Sequence, residues 1–560
     1  MRTISLLSLA LFFVFITQGQ TTITGTLVGS DGKPMLKAHV HVVKLVESFS
    51  RSKPIVSVEV AKDGTYKIST DHTVPFIVQY TGVHHAQEDV LIVDKNPTEE
   101  KIDVKLATYK YYPEFTSVHI ASDANSFNYR EAPKMTKQPD GTFAAEYETK
   151  ADRFRYELCN IAWLQSVNGT QSEDFQYDGG SNYPELGGGG YRSVVIPKDG
   201  KVRIVFDPKK LVRSGAQSEV RFAHASTSMA KAAAVYKIWM EQRDKIGKVS
   251  YDASAALRRF SEQYASEKDP LVRQVLLLAQ VGLLDLPPSP KPELRMDFLR
   301  QAVKEISPAS PLWSLNSMAV KSIAVIAEGT GVPTKETQIE SEKKKYQQFV
   351  DRFLERNPDT EEKAFLVSCK LMSAKSRNDQ QAVTKYYDLL MTKFGDTREA
   401  KFTIALLSRD RKIVAGNVVP KFSLVSMTDP KTTYTNESFK GKIYLIDFWA
   451  TWCVPCVGEM EYLHKAYEKF KSKNFEILSL SLDAAPEVVI KFRRGKWKMP
   501  WHHVFLEKES GNAVRKEFEV IGIPKPILVD GNTGKILATD FELRGQNLEN
   551  TLTKFLGGVQ

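Results

Sequence analysis

Two cysteines three positions apart constrain this chain more than any other feature. Cys453 and Cys456 stand between a short apolar segment, residues 444–448, and a helical pattern over residues 459–470. The spacing predicts a buried strand that runs into a helix beginning near Cys453. A thiol at a helix N-terminus faces unpaired N–H groups and the positive end of the helix dipole, and both favour the thiolate. The thiolate is the form that attacks disulfides, so the spacing indicates redox chemistry.

Two other kinds of site also use closely spaced cysteines. A zinc site needs two further ligands, usually a second close pair. The chain has four cysteines, and the other two, Cys159 and Cys369, each stand alone. We expect these two to be small buried hydrophobes. A structural disulfide in so small a loop would add little stability. The redox interpretation is therefore preferred, and we predict neither a metal site nor a cofactor.

Short motifs around the cysteine pair occur in a specific order within residues 413–560. They are Pro420-x-Phe422-x-Leu424, Gly441-Lys442, Phe448-Trp449-Ala450-x-Trp452-Cys453-x-Pro455-Cys456, Glu459-Met460, Phe518-x-Val520-x-Gly522-Ile523-Pro524 and Leu528-Val529-Asp530. Together they resemble the thioredoxin superfamily, most closely its exported TlpA/ResA-like branch. The resemblance covers a quarter of the chain and implies a thioredoxin-fold thiol–disulfide oxidoreductase that acts on protein disulfides or thiols.

The resemblance also implies roles for individual residues. Cys453 would attack, Cys456 would resolve, and the two would alternate between dithiol and disulfide. Pro524 matches the family's cis-proline, which lies opposite the cysteines and shapes the substrate groove together with Ile523 and Trp452. A cis X–Pro bond is uncommon and usually retained for a purpose. The alternative for Pro524 is an ordinary turn proline.

Three charged residues complete the predicted site. Asp447 matches a buried acid beneath the cysteines, where burial raises its pKa and makes it a proton acceptor for Cys456. Glu459 matches a glutamate that tunes thiol acidity. The alternatives are a solvated carboxylate at a strand end for Asp447 and a helix-dipole acid for Glu459. Lys525 replaces the family's usual threonine after the cis-proline, and a lysine beside the groove would favour acidic substrates.

The first nineteen residues have the pattern of a secretory signal. Arg2 gives a positive start, residues 4–16 are almost entirely apolar, and residues 17–19 are small or polar. The apolar run is shorter than the roughly 20 residues of a membrane span. We expect cleavage after Gly19 and export, most simply to the periplasm; the alternative is a retained N-terminal anchor.

The whole chain of 560 residues is long enough for three or four domains. Alternating short strands predict two β-sandwich-like domains, over residues 20–110 and 111–212. The first resembles the carboxypeptidase regulatory domain. The second resembles early-set sandwiches, some of which bind glycans, but a spacer without a ligand is preferred for this domain. Segments 194–196 and 202–206 are predicted to form a hairpin. His39 and His41 share a strand face, as metal ligands would, but a structural role is preferred.

Helical periodicity replaces strand alternation over residues 213–412 and predicts an all-α domain of helical hairpins. This domain is either a spacer or dimerisation unit, or a scaffold that binds a partner. The formal net charge of +10 is a mild bias without a basic block, so nucleic-acid binding is not predicted. The expected architecture is thus multidomain, with the α/β thioredoxin fold at residues 413–560.

Three alternative functions remain open from the sequence. A peroxidase is disfavoured, because peroxiredoxins need a Pro-x-x-x-Thr-x-x-Cys pattern that is absent before Cys453. The protein is otherwise a partner- or glycan-binding scaffold with an accessory redox domain, or an oxidase or isomerase of folding clients. A reductase in an exported compartment would need a membrane electron donor.

Overall fold

The computed structural model describes residues 20–557, except for residues 36, 46–53, 95–98, 126, 128–131, 163–164, 178–190, 214–216, 225–226, 244–252, 286–291, 330–339, 408–410, 452, 484–485, 496 and 507. The predicted signal, residues 1–19, and Trp452 therefore lie outside the described residues. The chain divides into two compact units, Met1–Cys369 and Lys370–Gln560. The boundary predicted from the sequence, between residues 412 and 413, stays a prediction.

The first unit begins with two four-stranded sheets that share one apolar core. Their strands are β1 (Thr21–Val28), β2 (Ala38–Lys44), β3 (Val56–Glu59), β4 (Thr65–Thr70), β5 (Phe76–Gly82), β6 (Glu88–Ile92) and β7 (Glu99–Lys105). The sheet orders are β3-β2-β5-β6 and β7-β1-β4, and a distant strand, Glu219–Phe222, completes the second sheet beside β7. The assignment of residues 219–222 to the helical domain is therefore wrong. A four-residue strand carries too little periodicity to reveal a partner more than one hundred residues earlier.

The strands between β7 and that returning strand form two further sheets. They are β8 (His119–Ser122), β9 (Thr136–Lys137), β10 (Phe143–Glu148), β11 (Phe154–Ala162), β12 (Gln165–Val167), β13 (Asp174–Tyr177), β14 (Tyr191–Val195) and β15 (Lys201–Phe206), and Glu219–Phe222 is β16. The predicted hairpin over residues 194–206 is wrong, because β14 pairs with β11 and β13 whereas β15 pairs with β10. The chain therefore passes from one sheet to the other between β14 and β15.

Helices follow from Ser228 onward, as predicted. They are α1 (Ser228–Arg243), α2 (Ser254–Ser266), α3 (Pro270–Leu284), α4 (Pro292–Glu305), α5 (Ser317–Ala327), α6 (Glu340–Arg356) and α7 (Thr360–Ser376). Helix α7 begins at a capping acid, since the Asp359 carboxylate accepts the backbone N–H of Glu361 at 2.9 Å. Large aromatic side chains, among them Phe260 and Trp313, fill the core of this helical part.

The second unit contains the end of α7 and two more helices, followed by an α/β sandwich. Its elements are α8 (Gln380–Phe394), α9 (Arg398–Leu407), β17 (Ser423–Val425), β18 (Thr433–Thr435), β19 (Ile443–Trp449), α10 (Val454–Phe470), β20 (Phe475–Ser481), α11 (Pro486–Arg494), β21 (His502–Phe505), α12 (Lys508–Glu517), β22 (Lys525–Asp530), β23 (Ile536–Thr539) and α13 (Gln546–Leu556).

The central sheet of the second unit has the order β21-β20-β19-β22-β23. Strands β19, β20 and β21 run parallel, whereas β22 is antiparallel to β19 and pairs with β23 as a hairpin. This confirms the α/β fold predicted for residues 413–560, with a strand that leads into a helix at the cysteine pair. Among the residues that the structure describes, no helix combines the length and the apolar character that a membrane span requires.

Candidate active site at the start of helix α10

The two cysteines of the motif lie where β19 gives way to α10. Cys453 is the N-cap of α10, and the backbone N–H of Cys456 donates to its Sγ at 3.2 Å. The two sulfurs form a disulfide, and both residues are buried, 4% and 1% exposed. The predicted helix start is confirmed. In the reduced protein the same N–H group and helix dipole would face a thiolate at Cys453.

The backbone just before the cysteines is held by an acid that the sequence analysis missed. Asp483 is buried and accepts the Thr451 hydroxyl at 2.6 Å and the Thr451 backbone N–H at 3.0 Å. The Ser481 hydroxyl also donates to Asp483, at 2.8 Å. Because β19 and β20 run parallel, their C-terminal ends meet at the same sheet edge. An acid directly after the second apolar strand was therefore a usable signal.

Asp447 lies on β19 and is almost fully buried, 4% exposed. Burial, assisted by the negative charge of Glu459 and opposed by the positive charge of Arg544, raises the pKa of Asp447 to about 7. Its Oδ2 has no hydrogen-bond partner within the described part of the chain. The predicted burial and the predicted upward pKa shift are confirmed, and a carboxyl group with a pKa near neutrality suits proton transfer.

Glu459 lies on α10 and is fixed at both carboxylate oxygens. Oε2 accepts the backbone N–H of Gly545 at 2.6 Å, and Oε1 lies 3.4 Å from Nε of Arg544. The residue is therefore more than a solvated acid in the first turns of a helix. Its carboxylate is held close enough to Asp447 to oppose the ionisation of that residue.

The peptide bond between Ile523 and Pro524 is cis, as predicted. Ile523 packs against the apolar cluster that contains Cys453 and Cys456. The structure thus brings the predicted cis-proline segment to the cysteine pair. Trp452, the third predicted groove residue, lies outside the described residues and its place is not assigned.

The prediction that Lys525 lies beside the groove and favours acidic substrates is wrong. The Lys525 side chain is buried, and its Nζ donates to Asp540 at 2.7 Å. Burial lowers the pKa of Lys525, and the Asp540 carboxylate opposes that shift. Lys525 is opposite Phe448 in the β19–β22 register, whereas Asp447 is opposite Pro526. Since successive side chains alternate between sheet faces, Lys525 points away from the Asp447 side.

The two histidines and the two single cysteines singled out from the sequence lie outside the redox site in the chain. His39 Nδ1 lies 2.6 Å from the Tyr191 hydroxyl, and His41 contacts Ser57, so both imidazoles have protein partners. No group of three or more His, Cys, Asp or Glu residues able to hold a metal occurs among the described residues. Cys159 and Cys369 are not disulfide-bonded and are partly buried, which is less burial than predicted.

The C-terminal part of the chain is similar to known proteins. Residues 414–502 match the Redoxin family. The chain is 31% identical over 150 residues to the thiol-disulfide oxidoreductase ResA of Bacillus cereus, covering 27% of this chain and 80% of that protein. It is 35% identical over 109 residues to tryparedoxin of Trypanosoma brucei brucei, covering 19% of this chain and 74% of the relative.

Two solved structures are also similar. One is the thioredoxin domain of a thiol-disulfide oxidoreductase from Bacteroides vulgatus, with 37% identity, 25% of this chain and 97% of that chain covered, and a TM-score of 0.24. The other is a thiol:disulfide interchange protein from Bacteroides sp., with 35% identity, 27% and 95% coverage, and a TM-score of 0.25. With its disulfide-bonded pair at a helix N-terminus and its match to ResA, the chain belongs to the ResA-like thiol-disulfide oxidoreductases.

Proposed function

We propose that this protein is an exported thiol–disulfide oxidoreductase that reduces protein disulfides. The observation that supports this most directly is the Cys453–Cys456 disulfide at the N-terminus of α10, above a buried acid with a raised pKa. Relatives named thiol-disulfide oxidoreductase support the reaction class. Export is supported by the charged start and apolar run of the first nineteen residues.

The reaction begins on the reduced enzyme. The Cys453 thiolate attacks one sulfur of a substrate disulfide, so a bond between Cys453 and the substrate forms as the substrate S–S bond breaks. The first substrate sulfur leaves as a thiolate and takes a proton from solvent. The positive end of α10 stabilises the attacking thiolate, and the Asp483 hydrogen bonds to Thr451 hold the preceding backbone in place.

Resolution returns the enzyme to the oxidised state. The Cys456 thiol gives its proton to the Asp447 carboxylate and attacks the Cys453 sulfur, and the mixed disulfide breaks. The second substrate thiolate leaves, and two electrons have passed from the cysteine pair to the substrate. Asp447 suits this step because its pKa of about 7 lets it accept and release a proton near neutrality. Glu459 and Arg544 would adjust that pKa in opposite directions.

Cysteine variants test the reaction directly. Cys453→Ser should abolish the reduction of insulin disulfides, whereas Cys456→Ser should accumulate a mixed disulfide between Cys453 and the substrate. Cys369→Ser is the matched control and should retain wild-type activity, because Cys369 is not part of the redox pair. Wild-type activity in Cys453→Ser, with the protein folded, would refute the proposal.

The direction of electron flow has its own test. Equilibration of the protein in defined thiol–disulfide buffers gives the reduction potential of the pair. A value near about −250 mV or lower would place the protein with thioredoxin-like reductants, which in this compartment require a membrane electron donor. A value near about −120 to −180 mV would instead match oxidases and isomerases and would overturn the reducing direction.

A further inference from the structure

Four charged residues of the second unit form a partly buried cluster that the redox chemistry does not use. Arg411 Nε lies 3.5 Å from Glu519 Oε2, and Arg411 Nη1 lies 3.4 Å from Asp540 Oδ2. The other oxygen of Asp540 accepts Lys525 Nζ at 2.7 Å. The order of charges is therefore Glu519, Arg411, Asp540, Lys525, alternating in sign. We call these four residues the clamp.

Two clamp residues flank the cis-proline segment in the sequence. Glu519 precedes Pro524 by five residues, and Lys525 follows it directly. Glu519 also accepts the backbone N–H groups of Lys412 at 2.9 Å and Ile413 at 3.2 Å. Arg411, Lys412 and Ile413 all interact with the Glu519 carboxylate. These interactions connect the chain just before the α/β sandwich to the residues that precede the cis peptide bond.

Burial makes the clamp interactions mutually dependent. The side chains of Arg411 and Lys525 are only 7% and 4% exposed. A buried charge that loses its partner costs several kcal/mol, so the charges hold each other in place. Although burial opposes ionisation, the N–H groups of Lys412 and Ile413 and the Arg411 charge lower the pKa of Glu519, which keeps that acid charged.

The position of the clamp relative to the cysteines suggests its effect. Lys525 lies on the sheet face opposite to Asp447, so the clamp does not border the proton-transfer side of the site. Ile523 packs both on the apolar cluster of Cys453 and Cys456 and on the cluster that contains Phe448, on the clamp's face of the sheet. A shift of the clamp would therefore move the segment on which a polypeptide substrate rests while leaving the thiols and the buried acid in place.

We propose that Arg411 is a positioning residue that holds the Ile523–Pro524 segment through Glu519 and Asp540 and thereby sets the affinity for polypeptide disulfides. This inference rests on the proposed reduction of protein disulfides. A purely stabilising role for Arg411 would change the free energy of unfolding without changing KM well below the melting temperature.

The test uses the full chain and two substrates of different size. Arg411→Met keeps most of the side-chain volume, and replacing a buried ion pair by an apolar side chain is often tolerated by the fold. We expect the KM for insulin to rise about tenfold, equal to about 1.4 kcal/mol of binding free energy. The kcat, the reduction potential and the rate with the small disulfide DTNB should stay unchanged. Arg411→Lys, which keeps the charge, should recover part of the loss.

The matched control is Lys442→Met in the same unit. Lys442 pairs with Glu476 at the beginning of β20, away from the clamp residues in sequence and in the sheet register. This variant should keep the wild-type KM for insulin, and an equal rise in both variants would overturn the inference. If Arg411→Met does not fold, Glu519→Gln removes only the ion pair between Arg411 and Glu519, and it should still raise the KM for insulin.

The outcomes separate the inference from the function on which it rests. The positioning role of Arg411 alone is overturned if the wild type is active and a folded Arg411→Met or Glu519→Gln protein has an unchanged KM for insulin. A wild-type protein that leaves insulin disulfides intact overturns the proposed function and the clamp with it. A selective rise in the insulin KM, with the DTNB rate unchanged, supports the inference.

Discussion

Replacing Asp447 by asparagine should stabilise the oxidised redox fold at alkaline pH and change little at acidic pH. The pKa of Asp447 is about 7 in the fold, against 3.8 for an unperturbed aspartate. Well below pH 3.8 both states carry the proton, so ionisation costs the fold nothing. As the pH rises from 4 to 7 the unfolded state ionises first, and the fold loses stability until its own Asp447 ionises.

The size of the effect follows from the shift in pKa. A shift of this size amounts to about 4 kcal/mol at most, because each pK unit is worth about 1.4 kcal/mol. Asp447 is buried, so solvent screening reduces the value little. Relaxation of the surroundings lowers it, and we expect about 2–4 kcal/mol of added stability for Asp447→Asn at pH 8 and about zero at pH 4.

Hydrogen exchange of the β19 and β20 amides provides the assay in the full chain. Comparing the variant with the wild type at the same pH cancels the intrinsic exchange rates, and the slowest amides report the opening of this sheet. Glu461→Gln is the control, because Glu461 is an exposed acid paired with Lys465 on α10. Equal stability differences at pH 4 and pH 8, or a loss of stability at pH 8, would refute the reasoning.

Three further predictions concern the surroundings of this acid and the first unit. Glu459→Gln should lower the pKa of Asp447 and Arg544→Met should raise it, both measured as a displacement of the same pH profile. Asp483→Asn should slow alkylation of the reduced attacking cysteine by about tenfold, since it weakens the backbone support before the pair; an unchanged rate would contradict that role. Phe260→Ala should destabilise the helical core by about 3–5 kcal/mol in thermal denaturation while leaving the reduction potential unchanged.

The redox fold was predictable because its signals are local and chemical. The apolar run at 444–448 corresponds to β19, Ile443–Trp449, and the helix begins directly after Cys453. For this strand and this helix the neighbouring residues in the chain determine the conformation, so a window of a few residues contains the information. The cis peptide bond before Pro524 was instead implied by the family resemblance.

The failures share a different cause, which is long-range pairing. The strand at Glu219–Phe222 joins a sheet built from residues before 106, and the strand at Tyr191–Val195 leaves its expected hairpin partner for β11 and β13. Nothing in the local alternation distinguishes one antiparallel partner from another. The pairing depends on which faces remain to be buried after the whole chain has been placed.

Lys525 shows how one residue of register changes a functional conclusion. Beside Pro524 in sequence, it was expected at the groove, yet pairing with Phe448 turns its side chain to the face opposite Asp447. There a lysine is tolerated only with a fixed counter-ion, which Asp540 supplies. Asp540 in turn lies beside Arg411, a residue outside every motif of the redox family resemblance. The two proposals therefore assign different tasks to the two faces of the sheet, with proton transfer on the Asp447 face and support of the substrate segment on the face of Lys525.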